Sequence, residues 1–551
     1  MARSFNLADV FELVAGAVPA REALVGGDVR RTFADLDRRA TQLADAFATV
    51  HGVGAGDHVG LDLHDRCEHV EAMLACYKLR AVPINVNYRY VADELVQLFG
   101  NAGVVGVVCD ERTAIEVRTA ARGAWVVETG DEFEALVAAG SPARRFEERS
   151  GDDHYVLYTG GTTGMPRGVV WRHEDILFAA LGAGNPGGPP VARPEDVVDI
   201  APRNTAQRVA PFLGPDDPGP DEFVALSTGP LMHASGQWLA LGTLLGGGKV
   251  VLDVEPHFDP EHVLDLVERE RVVMLTLVGD AGALPLLDAL DAHPGRWDLS
   301  SLLLLGSGGS ILSGATRLRL LAALPNVFAI NEAVGSSEAP VQAVAMATRT
   351  GPPIASLEFK AREGITLVVD DDLRPIEPGS GREGWLAAGG RVPIGYHNDP
   401  DKTARTFVTI DGRRYSLPGD RATIDVDGTV HLLGRGALCI NTGGEKVYPE
   451  EVEAVLKAHP GVADAVVVGV PDERWGQRVA AVIAAADGTA PTLEDVQAHC
   501  RSSLAGYKVP RSVTVVDRVP RSPAGKADYR WAADAARATA PTAPGSTPSS
   551  R

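Results

Sequence analysis

Short apolar stretches alternate with segments of helical spacing along the first 200 residues, and this alternation constrains the fold more than any other sequence feature. The stretches "HVGLDLHD" and "VVGVVCD" have the character of short buried strands, and "EHVEAMLACYKL" follows the first of them with helical spacing. Apolar residues from Phe33 to Phe47 also keep helical spacing, behind the suitable N-cap Thr32. Strands that alternate with helices indicate parallel sheets. We therefore predict an α/β fold.

The alternation continues through the middle of the chain and changes near its end. Further strands are predicted at "KVVLDV", "VVMLTLVG" and "SLLLLGSGG", whereas residues 184–222 are rich in Pro and Gly and should be irregular. After "GTVHLLGRG", a helix beginning near Pro449, a helix from Thr492 and three apolar strands predict a compact α+β unit of about a hundred residues. We expect the final segment, rich in Ala, Thr, Pro and Ser, to be disordered.

Charge and cysteine content exclude several classes of function. The chain has 551 residues and a formal net charge of −21, which argues against nucleic-acid partners and anionic membrane surfaces. It has no apolar run approaching the roughly 20 residues that span a bilayer, and Asp9 and Glu12 interrupt its N-terminal apolar stretch. The cysteines lack C-x-x-C spacing and are expected to be reduced and buried. These cysteines are Cys67, Cys76, Cys109, Cys439 and Cys500. We predict a cytoplasmic protein.

The segment "YTGGTTGMPRG", Tyr158 to Gly168, holds four glycines and three threonines directly after a predicted strand. It is not a P-loop, because the G-x-x-x-x-G-K-[ST] pattern is absent, and Pro166 prevents a helix from starting behind the glycines. Two readings remain open on composition. The segment is either a surface turn or a loop whose N–H groups and Thr hydroxyls surround phosphates.

The segment resembles the signature [YF]-T-S-G-T-T-G-x-P-K-G of the adenylate-forming superfamily, which includes acyl-CoA synthetases, luciferases and peptide-synthetase adenylation domains. Other motifs of that family follow in order over essentially the whole chain. The resemblance implies ATP, Mg²⁺ and coenzyme A as cosubstrates and a carboxylic acid as the substrate. It also implies that Thr163 contributes to catalysis and to the metal, and that the ATP phosphates are surrounded by Thr159, Gly160, Gly161, Thr162, Thr163, Gly164 and Arg167.

Two further motifs supply the rest of the nucleotide site by the same resemblance. "VGSSEA" is similar to the family's Y-G-[ST]-[ST]-E segment, so Glu338 would ligate Mg²⁺ while Ser336, Ser337 and the glycine-rich stretch around Gly308 border the nucleotide. "YSLPGD" is similar to Y-x-[TS]-G-D, in which the Asp, here Asp420, binds both ribose hydroxyls. A carboxylate suits a vicinal diol because two acceptor oxygens meet two donors.

Three motifs imply the groups for acyl and thiol transfer. "GRGALCINTGGEKVYPEEVE" resembles the family hinge, so Arg435 would contact ribose or phosphate, and Gly443 and Gly444 would let backbone approach the pantetheine arm. "PRSPAGKADYRW" resembles the terminal motif, whose lysine, here Lys526, stabilises charge as the acyl–phosphate bond forms. "GPLMHASGQW" places His233 between the acyl pocket and the thioester route; a core histidine is the alternative.

The resemblance also implies the architecture and the reaction order. A large N-terminal domain of α/β subdomains, with mainly parallel sheets and a small β-barrel-like subdomain, would span residues 1–434. A smaller mobile α+β domain would span 435–535, followed by a disordered tail, 536–551. Attack of the carboxylate on ATP gives an acyl adenylate, the small domain rotates, and the CoA thiol attacks. The family also allows a homodimer.

Four departures from the family pattern bear on activity: Gly160 replaces the usual loop serine, Arg167 the usual lysine, Ala437 the usual hinge Asp or Lys, and Pro340 follows Glu338. Eight lysines against 44 arginines show that arginine is favoured throughout this chain, but arginine is not an equivalent phosphate ligand. The sequence particularly resembles the actinobacterial branch that activates sterol side-chain acids and other bulky acids, which shares the loop glycine. An alternative is an enzyme specialised for thioester formation from adenylate made elsewhere.

Other classes fit less well. A peptide-synthetase adenylation domain would load a carrier protein, and no carrier domain follows Lys526. A luciferase needs a special substrate, and a kinase would release ADP where this chemistry releases AMP. A scaffold that uses the fold without catalysis would be expected to lose Lys526, Asp420 or Glu338, and all three are present. We therefore predict an acyl-CoA synthetase whose acid the sequence does not define.

Overall fold

The computed structural model describes residues 3–160, 166–204, 209, 213, 219–308, 312, 314–349, 358–435, 440–447, 449–486, 491–520 and 528–538. The chain folds into two compact units. The first contains residues 1–159 and 166–436, and the second contains residues 160–165 and 437–551. The division after residue 436 lies two residues beyond the predicted boundary at 434/435.

The strands of the first unit alternate with helices up to residue 336 and then follow one another more directly. They are β1 (Glu22–Gly26), β2 (Val29–Thr32), β3 (His58–Asp62), β4 (Val82–Asn85), β5 (Val104–Cys109), β6 (Trp125–Glu128), β7 (His154–Gly160), β8 (Pro166–Arg172), β9 (Val224–Ser227), β10 (Lys249–Leu252), β11 (Met274–Leu277), β12 (Leu304–Ser307), β13 (Ala329–Ser336), β14 (Ala339–Thr348), β15 (Phe359–Ala361), β16 (Thr366–Val369), β17 (Gly384–Ala388), β18 (Gly395–Tyr396), β19 (Phe407–Ile410), β20 (Arg413–Ser416), β21 (Asp420–Ile424) and β22 (Thr429–Arg435).

The helices of the first unit are α1 (Leu7–Ala17), α2 (Phe33–His51), α3 (Cys67–Lys78), α4 (Ala92–Ala102), α5 (Ala114–Ala120), α6 (Asp131–Ala139), α7 (His173–Ala179), α8 (Val197–Ile200), α9 (Ala234–Leu244), α10 (Pro260–Glu270), α11 (Gly279–Ala292), α12 (Gly314–Ala323) and α13 (Pro400–Thr406). Short 3₁₀ turns at Gly182–Gly184, Pro194–Asp196 and Ala201–Arg203 lie in the segment that is rich in Pro and Gly.

The second unit contains β23 (Ile440–Thr442), β24 (Glu445–Val447), α14 (Pro449–Lys457), β25 (Val462–Asp472), β26 (Gly476–Ala485), α15 (Leu493–Arg501), β27 (Ser512–Val516) and α16 (Tyr529–Ala538), with a 3₁₀ turn at Gly506–Lys508.

A seven-stranded sheet forms the first half of the first unit, in the order β18-β8-β7-β4-β3-β5-β6. Strand β3 pairs in parallel with β4 on one side and with β5 on the other, so the winding direction reverses at β3. The carboxyl ends of β3, β4 and β7 therefore meet at one edge of the sheet, where ligands bind in open α/β sheets. This sheet confirms the predicted parallel arrangement.

A fifteen-stranded sheet forms the second half, in the order β19-β20-β17-β21-β22-β15-β14-β13-β12-β11-β9-β10-β1-β2, with β16 paired to β17. Strands β1 and β9–β13 are parallel, and pairing from β13 through β14, β15 and β22 is antiparallel. The strands of the region expected to form a small β-barrel-like subdomain are joined to the large sheet, because β14 pairs directly with β15.

Local sequence explains the helix ends in the first unit. The Thr32 side chain accepts a hydrogen bond from the Asp35 N–H and caps α2, and Gly52 ends the helix with a φ of 72°. The predicted apolar face is buried at Phe33, Leu36, Ala40, Leu43 and Phe47. These features confirm the predicted helix and its cap.

The cysteine prediction is confirmed for the residues that the structure describes. Cys67, Cys76, Cys109 and Cys500 are free and buried, and burial raises the pKa of the Cys67 thiol to about 12. Cys439 lies outside the described residues. Among the helices described, none has the length and apolar character needed to cross a bilayer.

The second unit is a sheet with helices on both faces. Long antiparallel strands β25 and β26 pair over their full length, and β27 pairs in parallel with β26. Helices α14 and α15 pack on one apolar face, and α16 packs on the other. Ala532 and Ala536 of α16 are buried four residues apart, so the helix continues to Ala538. The predicted tail, 536–551, thus overlaps the last three residues of this helix, and residues 539–551 lie outside the described ones.

A buried ion network ties the N-terminal helices together. The Lys78 ammonium lies 2.7 Å from carboxylate oxygens of both Glu12 and Asp37. The Arg149 guanidinium lies 2.7 Å from Glu12 and 2.8 Å from Asp9. The Lys78 side chain is 1% exposed. The network therefore links α1, α2, α3 and the segment that leads into β7.

We expect the network to make folding stability sensitive to acid. Burial raises the pKa of Glu12, but Lys78 and Arg149 outweigh this and bring it to about 2, below the unfolded value. Because the folded pKa is depressed, Glu12 contributes stability above about pH 4.3, and this contribution is lost as the pH falls toward 2. The free energy of unfolding of wild type should exceed that of Glu12→Gln by roughly 3 kcal/mol at pH 6, with the difference shrinking below pH 4. Urea unfolding of both proteins between pH 6 and pH 3 measures it; a constant difference would contradict the assignment.

Candidate active site

The glycine-rich segment joins two neighbouring strands of the seven-stranded sheet. Thr159 and Gly160 end β7, while Arg167 lies at the start of β8. A Cβ atom at Gly168 would lie 2.6 Å from the Tyr158 ring, so glycine is required where this ring packs over β8. The predicted phosphate-binding residues between the strands, Gly161, Thr162, Thr163 and Gly164, lie outside the described residues.

Asn85, at the carboxyl end of β4, holds the root of this segment. Its amide nitrogen donates to the Tyr158 carbonyl at 2.9 Å and to the Met232 carbonyl at 2.7 Å, and its oxygen accepts from the Tyr158 N–H at 2.7 Å. The side chain is buried. Asn85 therefore fixes both the end of β7 and the residue before His233. Sequence analysis missed it, although an amide that closes an apolar strand was an available signal.

His233 begins α9 as its N-cap residue and is half-buried. Its N–H donates to the Pro230 carbonyl at 2.9 Å. The Asp65 carboxylate accepts from the Leu231 N–H at 2.7 Å. Burial raises the pKa of Asp65 to about 7, and the nearby His233 acts against that rise. An ionisable pair thus lies beside the segment that Asn85 anchors.

Glu338 lies in the tight turn that joins β13 to β14. Ser336 pairs with Ala339 across the turn, and a Cβ at Gly335 would overlap the Pro340 carbonyl, so this close approach requires glycine. The buried Trp171 of β8 donates its indole N–H to the Ser337 carbonyl at 3.0 Å. A strand of the seven-stranded sheet therefore holds this turn of the fifteen-stranded sheet.

A second contact from the same sheet fixes the Glu338 side chain. The Tyr396 hydroxyl donates to Glu338 Oε1 at 2.6 Å. Tyr396 lies on β18, which pairs with Val169 and Val170 of β8. Burial and the Glu338 carboxylate raise the pKa of Tyr396, so its hydroxyl stays protonated as the donor. The structure thus brings Glu338 next to the strand that follows the glycine-rich segment.

Arg167 is joined to helix α13. Its Nε donates to Asp399 Oδ2 at 2.9 Å, and the other carboxylate oxygen of Asp399 accepts from the Lys402 N–H at 2.9 Å. Asp399 is therefore the N-cap of α13 as well as the partner of Arg167. Arg167, which stands where the family usually has lysine, therefore forms an ion pair with Asp399.

The carboxyl ends of the parallel strands in the fifteen-stranded sheet carry buried hydroxyls without partners. Among the residues that the structure describes, the buried hydroxyls of Thr276 on β11, Ser307 on β12 and Ser336 on β13 make no hydrogen bond. Gly308 follows directly, and the space on its Cβ side is open. Buried polar atoms are normally paired, so unpaired ones at a strand edge are typical of a ligand crevice. Gly308, Ser336 and Ser337 lie near this edge, and their role in a nucleotide site stays a prediction.

Asp420 begins β21 directly after Gly419, whose φ of 101° favours glycine. Asp420 is buried, and its Cα is paired with that of Arg435 on β22. The two predicted ribose-contacting residues are therefore neighbours across two antiparallel strands. The Arg435 side chain lies outside the described part of the chain.

In the second unit, Gly443 and Gly444 form the turn of the β23–β24 hairpin, with φ values of 58° and 86°. A Cβ at Gly443 would lie 2.6 Å from the Trp475 ring. The packing of the Trp475 ring is therefore sufficient to require glycine at position 443. Lys526 and Ala437 lie outside the described residues.

The described residues contain no group of three or more His, Cys, Asp or Glu side chains that could hold a metal ion. Glu338 is a single carboxylate beside buried, unpartnered hydroxyls. This donor set suits a divalent cation that arrives with a phosphate ligand, because Mg²⁺ typically takes one or two protein carboxylates together with phosphate oxygens and waters.

Two family descriptions match the chain. Residues 11–393 match "AMP-binding enzyme", and residues 451–526 match "AMP-binding enzyme C-terminal domain". The chain is 42% identical to 3-oxocholest-4-en-26-oate–CoA ligase of Rhodococcus rhodochrous over 96% of both chains. It is 43% identical to the medium/long-chain-fatty-acid–CoA/3-oxocholest-4-en-26-oate–CoA ligase of Mycobacterium tuberculosis over 97% of this chain and 96% of that one.

The fold is similar to that of a solved structure, the amide bond synthetase McbA from Marinactinospora thermotolerans. The TM-score is 0.76 at 25% identity, and the match covers 95% of this chain and 99% of that one. The predicted α/β fold with a C-terminal domain is confirmed by this likeness.

Proposed function

This chain belongs to the AMP-binding enzyme family, and we propose that it is an AMP-forming acid–thiol ligase for a bulky hydrophobic carboxylic acid. It takes ATP, Mg²⁺ and coenzyme A, forms an acyl-AMP intermediate, and releases AMP and pyrophosphate. The observation that supports this most directly is the attachment of the Ser337–Glu338 turn to β8 by Trp171 and Tyr396. That attachment places a carboxylate next to the strand that follows the glycine-rich segment.

The proposed site residues bind different parts of the nucleotide. Glu338 holds Mg²⁺, which neutralises phosphate charge as pyrophosphate leaves. The loop residues Thr159 to Gly164 surround the phosphates, Asp420 accepts hydrogen bonds from the ribose hydroxyls, and Arg435 contacts ribose or phosphate. The open side of Gly308 and the unpaired Ser336 hydroxyl support a nucleotide or acyl group at this edge.

Acyl transfer needs a cation at the reacting carboxylate and a route for the thiol. We propose that the Lys526 ammonium binds the substrate carboxylate and the α-phosphate, so that their repulsion is offset as the acyl–phosphate bond forms. His233, anchored through Met232 by Asn85, borders the acid. The glycine turn at Gly443 and Gly444 serves the pantetheine arm.

The relatives suggest the class of acid. Two of them are named for 3-oxocholest-4-en-26-oate, and one of these is also named for medium- and long-chain fatty acids. We propose that this chain accepts sterol side-chain acids and comparable bulky or long acids. Mass spectrometry of acids incubated with enzyme, ATP, Mg²⁺ and CoA, with adenylate and thioester counted separately, tests both the reaction and the substrate. Absence of both products from all such acids would contradict the proposal.

A second candidate is an enzyme that performs only thioester formation, because Arg167 stands at the usual lysine position and is engaged by Asp399. Exchange of labelled pyrophosphate into ATP in the presence of an acid decides between the two. Exchange supports the full reaction, whereas thioester formed only from supplied acyl-AMP supports the second candidate. Homodimerisation and cytoplasmic location stay predictions; light scattering of the purified chain tests the former.

Replacing Tyr396 with Phe should lower kcat about tenfold, because the Glu338 carboxylate loses a charge-assisted hydrogen bond that orients it. The Mg²⁺ concentration needed for half-maximal rate should rise at the same time. Tyr77→Phe removes a hydroxyl from a buried ring on α3, elsewhere in the first unit, and serves as the matched control. Steady-state rates over a Mg²⁺ titration provide the measurement. An unchanged Mg²⁺ requirement would separate Tyr396 from the metal-binding role of Glu338.

A further inference from the structure

Lys402 lies at the start of α13 and has no role in the predicted site. It is one of only eight lysines in the chain. Its N–H donates to Asp399 Oδ1, while Asp399 Oδ2 accepts from Arg167 Nε, each at 2.9 Å. Asp399 therefore fixes the first turn of α13 to the side chain at position 167. Lys402 is placed by the same residue that engages Arg167.

The neighbouring residue connects the same helix to Glu338. The Thr403 hydroxyl accepts from the Tyr396 N–H at 2.8 Å, and the Tyr396 hydroxyl donates to Glu338 at 2.6 Å. Consecutive residues of α13 are thus linked to Arg167 on one side and toward Glu338 on the other. These links place the helix start beside both groups that are proposed to face the ATP phosphates.

The Lys402 side chain is half-buried at the start of this helix, whose first residues are linked to Arg167 through Asp399 and toward Glu338 through Tyr396. Burial lowers the pKa of Lys402.

Lys402 differs from other lysines of the chain in its partners. Within the part of the chain that the structure describes, Lys402 donates its backbone N–H to Asp399, and its ammonium forms no ion pair or hydrogen bond. Ion pairs to carboxylates are formed by Lys78, Lys249, Lys360, Lys457 and Lys508. An ammonium that is partly withdrawn from water without an anion gains from one that binds there.

We propose that Lys402 binds the outer phosphates of ATP and of departing pyrophosphate, supplying the ammonium that the glycine-rich segment lacks at position 167. This rests on the proposed function, since it assigns a further ligand at the same nucleotide site. An ammonium suits this role because it is a compact cation that meets phosphate oxygens from several directions. Arg167, through Asp399, serves to place the helix that carries it. A local cation is also needed because the chain as a whole repels polyanions, at a net charge of −21.

The test compares ligands that differ only in the outer phosphates. Isothermal titration of Lys402→Met with Mg²⁺ and ATP, with Mg²⁺ and pyrophosphate, and with AMP alone should show affinities for the first two weakened about 10- to 100-fold. The affinity for AMP should change less than about twofold, because AMP has no outer phosphate. Lys402→Arg, which keeps the positive charge but not the compact ammonium, should restore only part of the affinity for ATP. Lys360→Met, at an exposed ion-paired site, removes the same charge and should leave all three affinities unchanged.

Two outcomes overturn the inference: Lys402→Met that binds ATP and pyrophosphate as wild type does, or an equal loss for AMP, which would show a structural role. Lys402→Gln, which keeps a polar head without charge, must reproduce the Met result. Failure of the proposed function has a different signature. Wild type would then bind ATP but form neither acyl-AMP nor thioester from any acid, and the binding comparison would still decide the role of Lys402.

Discussion

Replacing Lys526 with Ala is expected to reduce acyl-AMP formation by about 10²- to 10³-fold, while thioester formation from supplied acyl-AMP stays near the wild-type rate. The first step brings a carboxylate to the α-phosphate, and two anions must approach before a bond forms. A cation placed where charge develops is typically worth this factor, as the removal of a single oxyanion donor shows in other enzymes. In the second step the attacking thiol meets a neutral acyl carbon, so the same cation is not needed.

The measurement uses single-turnover kinetics for each half-reaction, with synthetic acyl-AMP supplied for the second. Lys457→Ala is the matched control, because Lys457 is a partly exposed lysine of the same unit that pairs only weakly with Asp464, at 3.3 Å. Its rates should match wild type in both steps. Equal losses in the two half-reactions of Lys526→Ala would contradict the assigned role and indicate damage to the second unit as a whole.

Replacing Lys78 with Met should destabilise the first unit by about 3–5 kcal/mol, because it leaves the buried carboxylates of the ion network short of a cation. Met has a similar volume, so packing is retained and the effect isolates the charge. Asp37 loses its partner at 2.7 Å, and Glu12 retains Arg149 and Arg3. The expected loss is a large fraction of the 5–15 kcal/mol typical of a folded domain.

Urea unfolding followed by tryptophan fluorescence at pH 7 measures this change. Lys360→Met is the control, since its exposed ion pairs should leave the unfolding midpoint nearly unchanged. The double variant Lys78→Met with Asp37→Asn should recover part of the loss, because it also removes the carboxylate that Lys78→Met leaves without its partner. A single-variant loss below about 1 kcal/mol, or no recovery in the double variant, would show that water reaches the network.

The sequence alone predicted the features that depend on local pattern. The spacing of apolar residues predicted the alternation of β3, α3 and β5. Capping chemistry predicted the Thr32 cap and the helix start at Pro449. Both signals act within a few residues. Motif and turn chemistry are local properties.

The residues that assemble the site could not be predicted in this way. Trp171 reaches Ser337 across 166 positions of the chain, and Asn85 reaches Met232 across 147. Which strand meets which turn is decided by packing of whole sheets, and no short stretch carries that information. The end of helix α16 was not predicted for a different reason, which is local. Ala532 and Ala536 have helical spacing, but the Ala-rich and Pro-rich composition that follows obscured it.

Under the proposed function, Asn85 links the binding of the acid to the binding of ATP, because its one side chain contacts both segments. One amide secures the base of the glycine-rich segment and the chain entering α9, so neither can shift without pulling on the other. Under the proposed function, we therefore expect remodelling of the acid-binding site to be constrained on its His233 side by ATP binding. Variation in the acid should be concentrated on walls that this amide does not reach, such as the strand ends at Thr276 and Ser307.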